Sequence, residues 1–162
     1  ATPVFLSLYA ENDLRLDKYF AETDEKGFRK NKKAGSNNYL CTFRVGEIYL
    51  TAAEAAARLG ELSQARTRLL ELMRKRYAPE AYEAKSVVVN AMDKEALVQE
   101  ILDERARELA FEGHRWFDLR RSTRPRLEKV LDGTRYVLEE NDARYTLAIP
   151  KEAIEANPGL LN

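Results

Sequence analysis

The fold is decided by residues 44–76, which read RVGEIYLTAAEAAARLGELSQARTRLLELMRKR. Before Gly60, apolar residues follow helical spacing: Val45, Ile48, Tyr49, Ala52, Ala53, Ala56 and Leu59. After Gly60 the spacing repeats: Leu62, Ala65, Leu69, Leu72 and Met73. The pattern predicts amphipathic helices over residues 44–59 and 63–76, with Ser63 as the amino-terminal cap of the second. Because the connecting turn is short, the two helices are expected to pack antiparallel.

This helical pair resembles one tetratricopeptide unit. The characteristic positions of the tetratricopeptide pattern are occupied by Tyr49, Ala53, Gly60, Leu62, Ala65 and Leu69. No second copy follows at the period of about 34 residues, and such arrays usually need three or more repeats to bury a continuous core. The sequence therefore predicts a single repeat whose neighbours are missing or replaced.

Shorter elements are predicted on both sides of the pair. Residues 1–43 lack periodicity and suggest an irregular lead-in with short elements. Asp93 can cap a helix that runs to Glu112 before Gly113, and a short helix is expected from His114 to Arg121. Near the carboxy terminus, the pattern suggests a small β-hairpin, a short helix and an extended tail. The hairpin strands are residues 136–139 and 144–149, the helix follows Pro150 over residues 151–156, and Pro158 begins the tail.

The composition excludes several classes of protein. The 162 residues are 44% hydrophobic and 33% charged, a balance typical of one soluble globular domain. Lys plus Arg equals Asp plus Glu at 27 each, so the overall charge gives no reason to expect nucleic acid as a partner. No apolar run approaches the roughly 20 residues needed to span a bilayer. Cys41 is the only cysteine and is interpreted as a small core residue.

The densest group of ionisable residues lies in residues 104–121. Glu104, Glu108 and Glu112 recur every fourth residue and share a helical face with Leu97 and Ile101. We therefore expect Glu104 and Glu108 to be partly buried and paired with guanidinium groups, since a buried carboxylate needs a cationic partner. The candidate partners are Arg44, Arg105 and Arg115. This interpretation is a structural ion-pair network.

Other interpretations of these residues remain open. The three glutamates with His114 are candidates for a metal site or an acid/base pair, although the Glu-x-x-His pattern of bundle metal sites is absent. A basic run is a candidate phosphate surface: Arg115, Arg120, Arg121, Arg124 and Arg126. Aromatic residues are candidate platforms for sugar rings: Tyr9, Tyr19, Trp116 and Tyr136. Burial explains the aromatic residues equally well.

Three blocks, in order along the chain, resemble the SusD/RagB family. The first is Arg44-Val45-Gly46-Glu47-Ile48-Tyr49-Leu50, followed by Ala53-Glu54-Ala55. The second comprises Glu104-Arg105 and residues 108–121, which read ELAFEGHRWFDLRR. The third is residues 145–150 with Ile154, Asn157-Pro158 and Asn162. Upstream positions also match: Asn12-Asp13, Arg15-Leu16, Tyr19-Phe20 and Lys33. Residues 77–92 add nothing, and Leu161 stands where the family often has Gln.

The resemblance implies a longer parent protein on the bacterial cell surface. Such proteins are anchored to the outer membrane by a lipidated amino terminus, which this chain does not contain. They capture glycans beside a SusC-like TonB-dependent transporter, and tetratricopeptide-like helices cradle their glycan-binding region. The resemblance implies no catalysis and no cofactor. It assigns no catalytic, metal, cofactor-binding or sugar-contacting residue in this chain.

The sequence therefore predicts a mostly α-helical single domain over residues 1–162. It divides into a lead-in (1–43), a helical region with a tetratricopeptide-like hairpin (44–121) and a terminal segment (122–162). Its expected function is that of a scaffold portion of a non-catalytic glycan-binding protein, and the alternative is a helical-repeat adaptor that binds peptides. Alone, the chain is expected to bind oligosaccharides weakly or not at all, because Tyr49, Phe111 and Trp116 lie on or beside apolar stripes that favour burial.

Overall fold

The computed structural model describes residues 1–33 and 44–161. They form two compact units, Ala1–Arg115 and Trp116–Asn162. The single domain predicted over residues 1–162 stays a prediction, and Cys41 lies outside the described residues. No helix within the described ranges is long and apolar enough to cross a membrane.

The predicted helical hairpin is present as α3 (Val45–Leu59) and α4 (Leu62–Met73). Gly60 has a left-handed φ of 86°, which reverses the chain and is accessible to glycine without steric cost. The prediction that Ser63 caps α4 is wrong, because Glu61 occupies the cap position and Ser63 lies inside the first turn.

Two further helices of the first unit follow the hairpin, α5 (Pro79–Ala91) and α6 (Lys94–Glu108). The helix α5 was not predicted. Asp93 caps α6 as predicted, since its carboxylate accepts a hydrogen bond from the Ala96 amide at 2.9 Å. However, α6 ends at Glu108 rather than Glu112, and residues 109–113 form turns.

The described part of the lead-in consists of short elements, as predicted. These are α1 (Pro3–Leu6), α2 (Arg15–Tyr19), β1 (Phe20–Thr23) and β2 (Arg29–Asn31). The two strands pair antiparallel. The lead-in also makes a strand-like bridge to the α4–α5 connection: the Leu14 amide donates to the Arg76 carbonyl at 2.9 Å, and the Ala78 amide donates to the Asn12 carbonyl at 3.1 Å. This bridge places residues 13 and 15 beside the helices.

Apolar residues of α3, α4 and α6 form most of the core of the first unit. Its fully buried members include Leu50, Ala53, Ala57, Leu69, Met73, Leu97 and Ile101. Part of the predicted stripe on α3 lies elsewhere, because Val45, Ile48 and Leu59 are 67%, 48% and 77% exposed. The helix is apolar on two faces, so periodicity alone does not determine which face packs inward.

The second unit contains a β-hairpin, formed by β3 (Leu127–Leu131) and β4 (Thr134–Leu138). Both turn residues, Asp132 and Gly133, have left-handed φ values, 48° and 76°. Asp-Gly strongly favours this type of two-residue turn, because both central positions of the turn require positive φ. That signal identifies the true hairpin.

The hairpin predicted over residues 136–139 and 144–149 is wrong, because residues 143–145 form a 3₁₀ turn and no strand follows up to residue 161, where the described residues end. The short helix α7 (His114–Arg121), which spans the boundary between the units, and α8 (Lys151–Ala156) lie where predicted. The expected extended tail is instead a 3₁₀ turn at Pro158–Leu161. The predicted mostly α-helical fold with a small hairpin is confirmed.

Candidate functional site

Two carboxylates of α6 lie in the interior of the first unit. Glu104 and Glu108 are both 0% exposed and are one helical turn apart, so both face inward with Leu97 and Ile101. The predicted burial is confirmed. Burying an ionised carboxylate is costly unless cations and hydrogen-bond donors replace its water. The surrounding residues supply these groups.

We call these glutamates and the charged residues around them the buried ion-pair network. It consists of Asp13, Arg15, Lys33, Arg44, Arg76, Glu104, Arg107, Glu108 and Glu112. Its members come from the lead-in, the amino-terminal cap of α3, the connection between α4 and α5, and α6 with the turn after it. The network therefore joins segments that are far apart in sequence.

Arg15 lies at the centre of the network and is almost fully buried. Its Nε and Nη2 donate to the two carboxylate oxygens of Asp13 at 2.9 and 2.7 Å. Its Nη1 donates to Glu104 at 2.8 Å and to Glu108 at 3.2 Å. The guanidinium also lies over the rings of Tyr9 and Tyr77, at 5.7 and 5.3 Å from the centroids. Few directions remain from which water or a ligand can reach it.

Glu108 accepts hydrogen bonds from two further guanidinium groups. Arg76 donates through Nε and Nη2 at 2.8 and 2.9 Å, a bidentate contact. Arg44 donates through Nη2 at 2.6 Å. Both arginines are partly exposed, whereas Glu108 is not. The carboxylate is thus surrounded by positive charge from Arg15 of α2, from Arg44 at the amino-terminal cap of α3 and from Arg76 in the connection after α4.

Glu104 is paired on its other side with Arg107, whose Nε and Nη2 lie 2.9 and 2.8 Å from Oε2. The hydroxyl of Tyr77 donates to the same oxygen at 3.0 Å. Arg107 also pairs with Glu100, with 2.6 Å between Nη2 and Oε1. The charge of Glu104 is therefore compensated from α6 itself as well as from Arg15.

Lys33 and Glu112 form the outer edge of the network. The ammonium of Lys33 contacts Glu112 and donates to the carbonyls of Glu108 and Ala110, at 2.8 and 3.1 Å. Arg44 Nη1 also donates to Glu112, at 2.5 Å. Cations at a helix carboxy terminus satisfy carbonyls that lack a partner within the helix. Lys33 therefore stabilises the end of α6.

The pKa values of both buried glutamates lie below their ordinary value. Burial acts to raise the pKa of Glu104, but Arg15 and Arg107 outweigh it, so the pKa is lowered. For Glu108, burial is likewise opposed by Arg76, Arg15 and Arg44, and the pKa is again lowered. Both groups therefore remain ionised at neutral pH. A general acid needs the opposite shift.

The open interpretation of a metal site or an acid/base pair gains no geometric support. The oxygens of Glu104 and Glu108 already accept hydrogen bonds from guanidinium groups, and His114 Nδ1 lies beside Glu47 instead, at 3.6 Å. In the ranges the structure describes, no three His, Cys, Asp or Glu residues are arranged to hold a metal ion. The arrangement fits a set of structural ion pairs that hold the lead-in against the helices.

The sequence identified the glutamates better than their partners. Arg44 is a partner as predicted, but Arg105 donates to the Thr51 hydroxyl at 3.2 Å and Arg115 is exposed. Three arginines were missed as partners: Arg15, Arg76 and Arg107. A signal for Arg15 was present, because Asp13, Arg15, Tyr19 and Lys33 belong to the upstream segment that resembles the family.

The candidate aromatic platforms have different environments. Tyr9 is buried and donates to the Arg107 carbonyl at 2.7 Å, while Tyr19 lies beneath Lys33. Trp116 stacks on Tyr145 at 5.2 Å, and both are at least partly buried. Of these candidates, Tyr136 is the most exposed, at 56%.

The prediction that Tyr49, Phe111 and Trp116 are buried is only partly correct. Tyr49 and Trp116 are half-buried, whereas Phe111 is 55% exposed. Phe111 leaves the α6 stripe because the helix has already ended, and its φ is 64°. Its ring still contacts Phe5 edge to face, with centroids 5.5 Å apart.

The basic run is engaged mainly with nearby acidic groups and carbonyls. Arg121 pairs with Asp118 at 2.7 Å, and Arg126 pairs with Glu128 at 3.0 Å. Arg124 donates to the Arg120 carbonyl at 2.9 Å. Two of the five arginines are thus paired with carboxylates, which reduces the positive charge that a phosphate surface requires.

Comparison with known proteins gives the family and the fold of this chain. No protein of curated function matches the chain. The fold is similar to that of a SusD-like carbohydrate binding protein from Bacteroides vulgatus, with a TM-score of 0.64 and 19% identity. The match covers 97% of this chain but 40% of that protein, so the chain spans less than half of its length. The model of the SusD family matches residues 7–162. This chain therefore belongs to the SusD family.

Proposed function

We propose that this chain is the scaffold portion of a non-catalytic glycan- or nutrient-binding protein that functions in polysaccharide uptake at the bacterial outer membrane. Its family membership and its similarity to a structure described as carbohydrate binding support the glycan as ligand. The scaffold role depends on one observation, the second apolar face of α3.

That face is a stripe of exposed residues on the side of α3 away from the core. It consists of Val45, Ile48, Ala52, Ala55 and Leu59. The spacing alternates between three and four residues, which is typical of a helix that packs against another helix. A helix that is apolar on two faces is usually buried on both. The stripe therefore suits packing against a neighbouring helix of a longer protein.

The buried ion-pair network supports the same role. Its carboxylates hold the lead-in against α3, α4 and α6, and their lowered pKa values suit permanent ion pairs rather than proton transfer. A group committed to several intramolecular partners is poorly suited to binding a substrate. We accordingly propose no catalytic residue and no cofactor for this chain.

The remaining parts of the proposal depend on family membership. The longer protein would lie on the cell surface, attached to the outer membrane by a lipidated amino terminus, and would deliver glycans to a SusC-like TonB-dependent transporter. A gene for such a transporter beside the gene for this chain, with glycoside-degrading enzymes nearby, is the expected genomic setting. A setting without a transporter contradicts this part of the proposal.

Titration calorimetry tests the division between scaffold and binding regions. The 162-residue chain is titrated with bacterial, plant and host oligosaccharides, and the longer protein that contains it is titrated in parallel. We expect saturable binding by the longer protein and weak or no binding by the chain alone, because one helical repeat does not form a concave binding face. Tight binding by the chain alone, lost when an exposed aromatic residue is replaced, contradicts the scaffold role.

The second candidate function is a helical-repeat adaptor, which the exposed stripe on α3 also favours. An adaptor binds a peptide or protein helix along the stripe and has no affinity for sugars. The two functions differ in one measurement: the longer protein binds glycans in the first and no member of the glycan panel in the second.

A further inference from the structure

A cleft lies between the end of α4 and one face of α5. It has a volume of about 590 Å³ and is lined on the α4 side by Leu70 and Arg74. The α5 side contributes Tyr82, Glu83, Ser86 and Asn90, which follow helical spacing along one face. The volume falls within the range of about 300–1,000 Å³ that small-molecule sites occupy. The buried ion-pair network, which lies at the core of the unit, does not account for it.

Most polar groups of this cleft are available to a ligand; the exception is the hydroxyl of Tyr77, which donates to Glu104. Across residues 1–33 and 44–161, no hydrogen bond or ion pair occupies the guanidinium of Arg74, the carboxylate of Glu83, the side-chain amide of Asn90 or the hydroxyl of Tyr82. The Ser86 hydroxyl donates to the Glu83 carbonyl at 2.8 Å and can still accept. By contrast, most charged groups of the interior are paired.

The chemistry of the lining selects among classes of ligand. A phosphate or other anion would be attracted by Arg74 but repelled by the carboxylate of Glu83, so the cleft does not favour anions. A divalent cation would find only one carboxylate. An apolar ligand would leave the charged groups without partners. A neutral polyhydroxyl ring fits, because its hydroxyls can accept from Arg74, donate to Glu83 and do both with Asn90.

Tyr82 supplies the apolar part of such a site. Its ring is half-buried and lines the cleft, while its hydroxyl remains without a partner within the described ranges. Aromatic rings offer a flat apolar surface with a polar edge, which suits the C–H face of a sugar ring. A single ring with several exposed polar groups favours weak binding, consistent with the weak affinity expected of the chain alone.

We propose that this cleft is a weak subsite for a neutral sugar residue, with Tyr82 as the packing surface and Arg74, Glu83 and Asn90 as the hydrogen-bonding groups. The inference rests on the proposed function for its glycan class and adds the location of one contact within this chain. A subsite on the scaffold would hold part of a glycan chain while the main site binds another part.

Nuclear magnetic resonance of the 162-residue chain tests the subsite. Maltose, cellobiose, xylobiose and mannobiose are added at millimolar concentration, and the amide shifts are followed. We expect at least one of them to produce saturable shifts clustered at the end of α4 and along α5. Replacing Tyr82 with Ala should weaken this binding by about fivefold, as expected for one lost aromatic contact. Tyr136→Ala, at an exposed tyrosine outside the cleft, is the matched control and should change nothing.

Because Tyr82 also packs partly against the core, Asn90→Ala provides a second variant at an exposed position. It should weaken binding without changing the unfolding midpoint. The inference is overturned if no disaccharide shifts the cleft, if both variants bind as the original chain does, or if charged sugars bind there more tightly than neutral ones. If no disaccharide binds at the cleft but the longer protein still binds glycans, only this subsite is overturned. Absence of glycan binding by the longer protein contradicts the proposed function itself.

Discussion

At the scale of single residues, Glu108 illustrates how a helix can carry a buried charge. Its two oxygens accept from Arg15, Arg44 and Arg76, at distances between 2.6 and 3.2 Å. Transferring an ionised carboxylate from water to the protein interior costs roughly several kcal/mol of free energy. These contacts offset that cost. The arginines depend on Glu108 in turn: Arg76 has both of its carboxylate contacts there, and the buried Arg15 has one of its several.

We therefore predict that Glu108→Ala destabilises the chain by about 3–5 kcal/mol, because it leaves a buried guanidinium without part of its compensation. Chemical denaturation followed by circular dichroism measures the loss. Glu71→Ala is the matched control, since Glu71 is an exposed helical glutamate that contacts Arg68 at 3.5 Å. A loss at Glu108 no larger than that at Glu71 would contradict a structural role for the network.

Gly46 gives a second prediction at this scale. A methyl group added to Gly46 would lie 2.8 Å from Glu108 Oε1 and 3.2 Å from its Cγ. In an open helix, Ala is more favourable than Gly by about 1 kcal/mol. Here we expect Gly46→Ala to be destabilising by about 1–3 kcal/mol, because Glu108 is held by three arginines and cannot easily move away.

The control for Gly46 separates crowding from helix propensity. At Ala55, on the exposed face of α3, the reverse change Ala55→Gly should cost about 1 kcal/mol through propensity alone. In a Glu108→Ala background, Gly46→Ala should no longer destabilise, since the crowded oxygen is gone. A Gly46→Ala variant that is more stable than the original chain refutes the close approach.

At the scale of elements, the turn between α3 and α4 depends on one backbone conformation. Gly60 has a φ of 86°, and a Cβ at this position would meet no atom within 4 Å. The space is open, so any effect of a side chain arises from the left-handed conformation itself. The carbonyls of Ala56 and Ala57 at the end of α3 accept from this turn, at 2.9 and 3.1 Å.

We predict that Gly60→Ala destabilises the chain by about 1–2 kcal/mol, the cost of placing an L-residue in the left-handed region. Gly60→Asn should cost less, because Asn adopts this region more readily. In thermal unfolding of the three proteins, we expect the midpoint temperature to decrease in the order Gly, Asn, Ala at position 60. Equal midpoints for Asn and Ala would show that the conformation at position 60 is not the cause.

At the scale of the whole molecule, the network makes stability depend on pH. The pKa values of Glu104 and Glu108 are lowered from an ordinary 4.5 by arginine partners that outweigh burial. Their contribution to stability is therefore complete above the unfolded value of about 4.5 and is lost as the pH falls through the lowered values. Protonation then breaks contacts that join the lead-in to the helices.

We predict that the free energy of unfolding falls steeply as the pH is lowered below about 4.5. Urea denaturation at a series of pH values measures this slope. The Glu108→Gln variant should be less stable at neutral pH but should show a shallower acid slope, because one titrating group is removed. Parallel pH profiles for the two proteins would indicate that other carboxylates cause the acid unfolding.

The sequence by itself determined the features that depend on neighbouring residues. The α3–α4 hairpin follows from apolar spacing and Gly60, the start of α6 from Asp93, and α8 from Pro150. These signals are local, because helix periodicity and capping act over one or two turns. The burial of Glu104 and Glu108 was also predictable, since the same spacing placed both within the apolar arc.

Only the tertiary structure decided which residues compensate those charges. Glu108 meets Arg15, Arg44 and Arg76 across separations of 93, 64 and 32 positions. No periodicity links positions so far apart, since their proximity depends on how the helices and the lead-in pack. For the same reason, the sequence alone did not determine which face of α3 is exposed or that a cleft forms at Tyr82. Each depends on which surface a neighbouring helix covers, and that is fixed by the packing of all elements together.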